Sequence, residues 1–326
     1  MSRLVHLGNA VVDLVLQVPA APERGGDVLA RAASELVGGG FNVMAAASRQ
    51  GLPVVYAGMH GSGPRAAQVR AALAAEDIAV LQPVLADRDS GLVVTIVEDD
   101  GERSFITVPG AEAQLDAGAL ARVELAGGDH LYLTGYSLAH AANRTALVEW
   151  LPGVGDAVVV FFDPGPLVAT LPATDLELVL ARCDWVSANA AEATTLTGLD
   201  DPVDAARALR RRIRGGVLVR CGPDGCVLAL HDDDPVVVPG LSVPVVDLTG
   251  AGDAHAGAFI AQLSRGVDPR AAARWANAAA AIAITRRGPA TGPTYAEVAE
   301  FSPANLRAQP AQAAARPRPA APRPRA

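Results

Sequence analysis

The sequence predicts an α/β fold in which a mainly parallel β-sheet is covered by helices on both faces. Strand-like and helix-like segments alternate along most of the 326 residues, which is typical of a chain that returns over a parallel sheet after each strand. The residues are 50% hydrophobic, so the chain can bury a large core in one large domain or two modest ones. Two segments interrupt the alternation with β-hairpin patterns, which predict a smaller β element beside the main sheet.

The strands of the main sheet are predicted from short apolar runs along the chain. Six such runs are residues 4–8, 54–57, 130–133, 158–162, 185–188 and 217–219. Helix-like patterns lie between many of them and include residues 42–50, 66–75 and 202–211. Because open α/β sheets bind ligands beyond the carboxyl ends of their strands, the residues that follow these runs are the first candidates for a site.

The two predicted hairpins differ in character. Residues 90–108 form two strand runs around Asp99, Asp100 and Gly101, and the first hairpin is polar at alternate positions, which suits an exposed lid. The second hairpin turns at Pro223, Asp224 and Gly225. A folded domain is expected over residues 1–308, followed by a Pro/Ala/Arg tail over 309–326 that is predicted to be disordered.

Composition excludes several classes of function. The net charge is −8, whereas a nucleic-acid partner normally requires a basic face. All 27 basic residues are arginine, so neither a Schiff-base lysine nor a P-loop lysine is present. Cys183, Cys221 and Cys226 have no metal-binding spacing and are expected to be buried thiols in a reducing cytoplasm, without a disulfide framework or a zinc site.

Neither a targeting peptide nor a membrane span is predicted. The chain starts on a strand pattern without a basic segment followed by an apolar one. The most apolar stretch, residues 271–285, is too short for a span and carries Arg274 and Asn277. We therefore expect a buried core helix there, no membrane partner and a cytoplasmic location.

The stretch Gly250, Ala251, Gly252 and Asp253 carries the clearest chemistry. An apolar helix pattern follows it, so unpaired N–H groups at the helix start can approach a phosphate closely. A carboxylate beside that phosphate can accept the proton of an attacking hydroxyl. The alternative is that Asp253 merely caps the helix. A dinucleotide-binding loop is excluded because His255 stands at the third glycine position of that motif.

The longer stretch DLTGAGDAHAGAF resembles the signature of the ribokinase/PfkB family of carbohydrate and nucleoside kinases. Asp247, Thr249 and Gly257 fit the pattern together with the Gly-Ala-Gly-Asp core, and His255 replaces the usual aromatic residue. Residues 36–51 resemble the N-terminal glycine signature of the family, with Val37 at its first glycine position. The resemblance extends over about residues 3–300.

This resemblance implies a ribokinase-like three-layer sandwich with a small β lid formed by about residues 13–37 and 88–110. It also implies ATP-dependent phosphorylation of a hydroxymethyl group, with Asp253 as the catalytic base and the N–H groups of Gly250, Ala251 and Gly252 as the anion hole. Substrate hydroxyls would be bound by four residues of the N-terminal part: Asp13, Gly38, Gly39 and Asn42.

The resemblance assigns further residues to the nucleotide and to ions. Asn189 and Glu192 match the family's N-x-x-E motif for Mg²⁺, with Glu192 acting through water. Residues 219–225 resemble the nucleotide-binding turn, with Arg220 where threonine is common. The expected nucleotide contacts are Arg220, Gly222, Gly225, Thr249 and Asn277, although Asn277 is either an adenine contact or a satisfied core amide. A monovalent cation such as K⁺ is implied beside Asp247 and the loop 287–292.

The substrate within the family stays open between a sugar and a nucleoside. Gly165 stands where sugar kinases often have asparagine, and no arginine follows nearby, so an uncharged substrate is favoured. Phe41, Phe105 and Tyr136 form either an apolar wall for a nucleobase or ordinary packing. A catalytically silent sugar- or nucleoside-binding protein on the same fold is the alternative from another class. A homodimer through the lid is also expected.

Overall fold

The computed structural model describes residues 2–100, 102–230 and 234–301. Within them, fifteen strands are β1 Leu4–His6, β2 Ala10–Gln17, β3 Ala32–Gly39, β4 Val54–Tyr56, β5 His60–Gly61, β6 Ala79–Val80, β7 Val84–Leu85, β8 Leu92–Val97, β9 Arg103–Val108, β10 His130–Thr134, β11 Val159–Asp163, β12 Trp185–Asn189, β13 Gly216–Arg220, β14 Cys226–Ala229 and β15 Val236–Val238. The predicted tail, 309–326, lies outside the described residues.

The same ranges contain eleven α-helices. They are α1 Phe41–Arg49, α2 Pro64–Ala75, α3 Ala117–Leu120, α4 Gly135–Ala139, α5 Ala141–Trp150, α6 Ala173–Arg182, α7 Ala190–Thr197, α8 Pro202–Arg210, α9 Ala251–Ser264, α10 Pro269–Ala283 and α11 Tyr295–Glu300. Every predicted strand of the main sheet and all three predicted helices are present, with small shifts at their ends. The apolar stretch predicted as a core helix forms α10 and the residues just after it.

The main sheet joins nine strands in the order β15-β14-β13-β12-β11-β10-β1-β4-β6. The strands from β13 to β6 pair in parallel, whereas β14 and β15 are antiparallel. One apolar core contains Leu147, Val179 and Leu209 of α5, α6 and α8. The other contains Phe259 and Ala276 of α9 and α10. The predicted three layers are therefore present, and the second predicted hairpin is the antiparallel pair β13–β14.

The lid is a second sheet, of order β3-β2-β8-β9. Its β8–β9 hairpin is the predicted one, with Leu92 paired to Val108 and Val97 to Arg103. Asp13 was expected to begin the lid segment 13–37, but it lies within the lid strand β2, which starts at Ala10, and is opposite Leu36 of β3. The chain therefore enters the lid earlier than predicted, because the apolar residues Ala10, Val11 and Val12 already pair with β3.

Helices α1 and α9 meet where α9 carries a glycine. A Cβ added to Gly257 would lie 2.7 Å from both Ala46 Cβ and Val43 O, so a methyl group cannot enter without separating the helices. We expect Gly257→Ala to lower the free energy of unfolding by about 1–3 kcal/mol, as overpacking of a tight core does. Gly155→Ala is the matched control, because a Cβ there would meet no atom within 4 Å. Equal urea-denaturation midpoints for the two variants would contradict this account of the helix contact.

The cysteines lie mainly as predicted. Cys183 and Cys226 are buried, but Cys221 is only partly buried because it lies in the turn after β13. All three thiols are free. Among the described helices, none is both long enough and apolar enough to cross a membrane.

Candidate active site

Carboxylates converge on Tyr136, at the edge of the main sheet where its parallel strands end. Burial raises the pKa of the Tyr136 phenol to about 12, and the negative charges of Asp253, Asp163, Glu192 and Asp13 add to this effect. Asp163 ends β11, Glu192 lies in the first turn of α7, and Asp13 comes from the lid. The elements thus bring together side chains that are far apart in the chain, from Asp13 near its start to Asp253.

Asp253 is the carboxylate next to the start of helix α9. It is partly buried, and its Oδ2 accepts a hydrogen bond of 3.0 Å from Nδ2 of Asn42. Burial raises the pKa of Asp253 to about 7; the carboxylates of Asp163 and Asp13 also raise it, while Asn42 and Arg220 oppose the rise. A carboxylate with a pKa near neutrality is well matched to proton abstraction.

The helix start beside Asp253 has unpaired amide groups. Gly250 has a left-handed φ of 74°, a conformation that glycine adopts without strain. Within the described ranges, the N–H groups of Gly250, Gly252 and Asp253 have no hydrogen-bond partner, whereas the N–H of Ala251 makes a long contact of 3.3 Å with the carbonyl of Leu248. The amide set available to an anion therefore includes Asp253 in addition to the expected glycines, and Ala251 is partly engaged.

The lid brings Asp13 to the same site through a close contact with a glycine. A Cβ on Gly38 would lie 2.1 Å from Oδ2 of Asp13, so the carboxylate occupies the space that a side chain would need. Burial raises the pKa of Asp13 to about 6. Gly39 lies beside the amide of Asn9, and the buried Oδ1 of Asn42 has no partner in the described part of the chain. The carboxylate of Asp13 is therefore the group that leaves hydrogen-bonding capacity for substrate hydroxyls, whereas Oδ1 of Asn42 is shielded from solvent.

Arg220 lies beneath the helix start as the centre of a buried ion network. Its guanidinium donates to Oδ2 of Asp163 at 3.0 Å and to Oγ of Ser187 at 2.8 Å, and it lies 3.6 Å from Oε2 of Glu192. A Cβ on Gly252 would be 3.3 Å from Cζ of Arg220. Burial opposes the charge of Arg220, but the two carboxylates outweigh it and raise its pKa.

Comparison with known proteins assigns this arrangement to a family. The model of the pfkB family of carbohydrate kinases matches residues 1–295. The chain belongs to this family. It is 32% identical over 299 residues to the uncharacterized sugar kinase YegV of Escherichia coli (strain K12). The aligned residues cover 90% of this chain and 91% of YegV. It is 31% identical over 309 residues to the ATP-dependent ribose-1-phosphate kinase of Halopiger xanaduensis, covering 92% and 98% of the two chains.

The fold comparison agrees with this assignment. The structure of Arabidopsis thaliana ribokinase complexed with ribose and ATP superimposes with a TM-score of 0.76 at 22% identity, covering 95% of this chain and 100% of that one. The predicted ribokinase-like fold is thereby confirmed. The chain is a kinase of the carbohydrate and nucleoside class, which transfers a phosphoryl group.

In this kinase, Asn189 and Glu192 form a capping box at the start of α7. The Asn189 side chain accepts the N–H of Glu192 at 2.8 Å, and Oε2 of Glu192 accepts the N–H of Asn189 at 2.8 Å. Burial and the Asp163 carboxylate raise the pKa of Glu192, against the effect of Arg220. The described residues contain no cluster of three or more His, Cys, Asp or Glu side chains that could hold a metal ion. Because both protein contacts of Glu192 use Oε2, this motif fits a hydrated ion held mainly by phosphates.

The expected nucleotide turn is formed by Gly222–Asp224, which is a 3-10 turn between β13 and β14. Gly225 follows with a φ of 92°, and a Cβ on it would lie 2.1 Å from the carbonyl oxygen of Val238. The turn therefore packs tightly against the segment after β15, and only a glycine fits at Gly225.

The side chain of Asn277 makes its hydrogen bonds to other groups of the protein core. Its Nδ2 donates to the carbonyls of Val238 and Pro239, both at 3.0 Å, and its Oδ1 lies 3.1 Å from Nε2 of His255. These contacts favour the core-amide alternative for Asn277. They also explain why histidine can replace the aromatic residue of the family pattern: it supplies a hydrogen bond to a buried amide.

The Asp247 site does not fit a monovalent cation. Oδ1 of Asp247 accepts from the N–H and the Oγ1 of Thr249, at 2.9 and 2.7 Å, and from Nη2 of Arg103 at 2.7 Å. Its Oδ2 accepts from the N–H of Gly288 at 3.0 Å. The charge and hydrogen-bonding capacity that a cation would use are therefore engaged by the protein.

Sequence reasoning did not assign roles to two site residues. Asp163 directly follows the predicted strand run 158–162, and its link to Arg220 depends on the adjacency of β11, β12 and β13. Arg103 lies in the predicted lid hairpin, but its contact with Asp247 crosses 144 positions. Of the proposed apolar wall, Phe41 is in the core, Phe105 is exposed on the lid, and Tyr136 lies over Gly165.

Proposed function

We propose that this kinase transfers the γ-phosphoryl group of ATP to a hydroxymethyl group of a small, uncharged, sugar-like substrate. The observation that carries the proposal is Asp253, a partly buried carboxylate held by Asn42 beside the unpaired amides of Gly250 and Gly252. Ionised Asp253 accepts the proton of the attacking hydroxyl. The amides stabilise the negative charge of the phosphoryl group in transfer without any lysine.

The substrate lies between the lid and the main sheet in this proposal. Asp13 accepts hydrogen bonds from two hydroxyls, and the backbone at Gly38 and Gly39 lies against the sugar. Asn42, which the family resemblance also assigns to the substrate, holds the base beside it through the hydrogen bond to Asp253. Closure of the lid excludes water and so limits ATP hydrolysis.

ATP is bound on the other side of the helix start. The turn with Gly222 and Gly225 lies along the nucleotide. Arg220 supports the helix start beneath Gly252, and Thr249 orders the loop that precedes the unpaired amides. Mg²⁺ would neutralise charge on the β- and γ-phosphates. Asn189 and Glu192 orient its water shell, for which Oε1 of Glu192 is available.

Charge favours an uncharged substrate. Four carboxylates lie near enough to Tyr136 to raise the pKa of its phenol, and the guanidinium of Arg220 is already paired with Asp163 and Glu192. A phosphate or carboxylate on the substrate would therefore meet net negative charge and have to compete for a paired arginine. The ribose-1-phosphate kinase relative makes a sugar phosphate the second candidate. A nucleoside remains the alternative within the family, because exposed Phe105 shares the face of the lid that carries Asp13.

The homodimer through the lid is also part of this proposal. Ile106 and Val108 alternate along the lid strand β9 and are 57% and 49% exposed. Apolar side chains in a row on one strand face favour burial against a second copy. The cytoplasmic location stays a prediction.

The test is ADP production by the full chain with ribose, fructose, adenosine and other nucleosides, and ribose-1-phosphate, each with MgATP. We expect turnover with a neutral sugar and at least about tenfold lower kcat/KM with the sugar phosphate. Electrostatic repulsion that raises the free energy of the transition state by about 1.4 kcal/mol lowers kcat/KM tenfold. Preference for the sugar phosphate would overturn the charge argument. Thermal shifts with ligands but no turnover of any acceptor would instead indicate a silent binding protein.

A further inference from the structure

Arg103 connects the lid to the loop that precedes the amide cluster. Its Nη1 donates to Oγ1 of Thr249 at 2.5 Å, and its Nη2 donates to Oδ1 of Asp247 at 2.7 Å. The pair is shielded, with side-chain exposures of 28% for Arg103 and 18% for Asp247. By strand register, Arg103 pairs with Val97 and Val97 with Gln17, so Arg103 lies on the lid face that carries Asp13. One guanidinium thus joins the substrate side of the lid to the loop before Gly250.

Asp247 has a full set of protein donors. Thr249, Gly288 and Arg103 together give its carboxylate four hydrogen bonds. Burial alone would raise the pKa of Asp247, but these hydrogen bonds outweigh it and lower the pKa to about 2. The carboxylate is therefore ionised at neutral pH, and its charge is balanced by Arg103. A cation bound to the same carboxylate would lie only a few ångströms from that guanidinium and be repelled by it.

The neighbouring loop is held in the same way. The carbonyls of Ala290 and Gly292 accept from Nη1 of Arg49, at 2.5 and 2.9 Å. The carbonyl of Thr291 accepts from Nη1 of Arg286 at 3.3 Å. Three successive carbonyls that could ligate a cation therefore point to arginines instead. Two separate parts of the site, Asp247 and the 290–292 carbonyls, both accept hydrogen bonds from guanidinium groups.

We infer that Arg103 is a positioning residue whose guanidinium supplies, in cis, the positive charge that a monovalent cation would supply at Asp247. It orders the Thr249–Gly250 segment from the lid, so nucleotide binding and turnover do not depend on K⁺. The role in turnover rests on the proposed function of the amides. The first measurement below does not, since it uses the protein without any ligand.

The first measurement is the melting temperature of the full chain in KCl and in tetramethylammonium chloride at equal ionic strength. We expect the wild type to melt at the same temperature in both salts. Arg103→Met should melt lower in tetramethylammonium and recover by about 2 °C or more in K⁺, because the unpaired Asp247 then accepts the ion. A wild type stabilised by K⁺ would overturn the inference. So would an Arg103→Met protein that melts like the wild type, or equally low in both salts.

The second measurement is binding of the ATP analogue AMP-PNP with Mg²⁺ in the same two salts. We expect Arg103→Met to bind at least about tenfold more weakly than the wild type in tetramethylammonium, as loss of charged hydrogen bonds implies. Arg103→Lys should stay closer to the wild type because it keeps the charge. Arg31→Met is the control, since it breaks the exposed lid pair with Asp99 and should change neither measurement. If Arg103→Lys binds as weakly as Arg103→Met, the charge is not what positions the loop.

Discussion

Asp253→Asn is expected to lower kcat by about 10²–10⁴-fold, the usual contribution of a general base. Asparagine has nearly the same shape, and the amide of Asn42 lies 3.0 Å from the acid, so the substitution removes proton acceptance with little change in packing. AMP-PNP should bind with nearly unchanged affinity. The measurement is steady-state ADP production with the best acceptor, beside calorimetric binding. Asp204→Asn is the control, because Asp204 is an exposed partner of Arg207 on helix α8.

The pH dependence gives the same prediction a second readout. Because the pKa of Asp253 is raised to about 7, mainly by burial, kcat/KM should rise with pH up to about 7 and then level off. The residual activity of Asp253→Asn should lack this rise. The capping alternative that the sequence left open is not what the structure shows, since Gly250 is the N-cap of α9 and Asp253 lies inside the helix with its side chain bonded to Asn42. A variant that keeps wild-type turnover would show that Asp253 is not the base.

Stability should change in the opposite direction from activity. The folded pKa of Asp253 lies above its unfolded value of 3.8, so the native state favours the protonated form. Ionisation of Asp253 therefore destabilises the folded protein. This penalty is absent at low pH and grows as the pH rises from 3.8 through about 7. Asp253→Asn should accordingly melt higher than the wild type at pH 8, with a smaller difference at pH 5. The active site would then hold its base at a cost in stability.

The parts of this structure that were predictable from sequence are those whose signals are local. Gly250 to Asp253 are contiguous, and the strand-to-helix alternation indicates a parallel sheet, since each helix returns the chain so that the next strand can run in the same direction. The lid hairpin was predictable for the same reason. Asp13 was placed at the site by resemblance, but its position within a strand was missed, because a loop carboxylate and a strand carboxylate have the same local sequence signal.

The contacts between distant segments were not predictable. Arg220 and Asp163 are 57 positions apart, and their pairing needs the neighbouring order of β11, β12 and β13, which spacing does not reveal. His255 and Asn277 look like independent departures or ambiguities in the sequence, yet they are hydrogen-bonded to each other. In each case a buried polar group found its partner on another element, as burial requires. Departures from a family pattern are therefore best examined in pairs.

Arg220→Met is expected to lower the free energy of unfolding by about 3–5 kcal/mol, the range for removing one partner of a buried ion pair. Methionine fills much of the same volume, so the main loss is electrostatic. Asp163 and Glu192 would stay in place with side-chain exposures of only 16% and 7% and without a positive charge between them. Urea denaturation at pH 8 measures the change. Arg207→Met is the control, because it breaks an exposed pair and should cost less than about 1 kcal/mol.

The pH dependence distinguishes charge from packing in this variant. Without Arg220, nothing positive opposes burial and the Asp163 charge at Glu192, so the pKa of Glu192 rises further above its unfolded value. Stability is then retained at low pH, where Glu192 takes up a proton, and lost as the pH rises. We therefore expect the gap between Arg220→Met and the wild type to narrow from pH 8 to pH 5. Adding Asp163→Asn to Arg220→Met should recover part of the loss at pH 8 by removing one unpaired charge. A gap that is constant with pH, and that Asp163→Asn does not reduce, would mean that Arg220 fills space beneath Gly252 instead of neutralising the site.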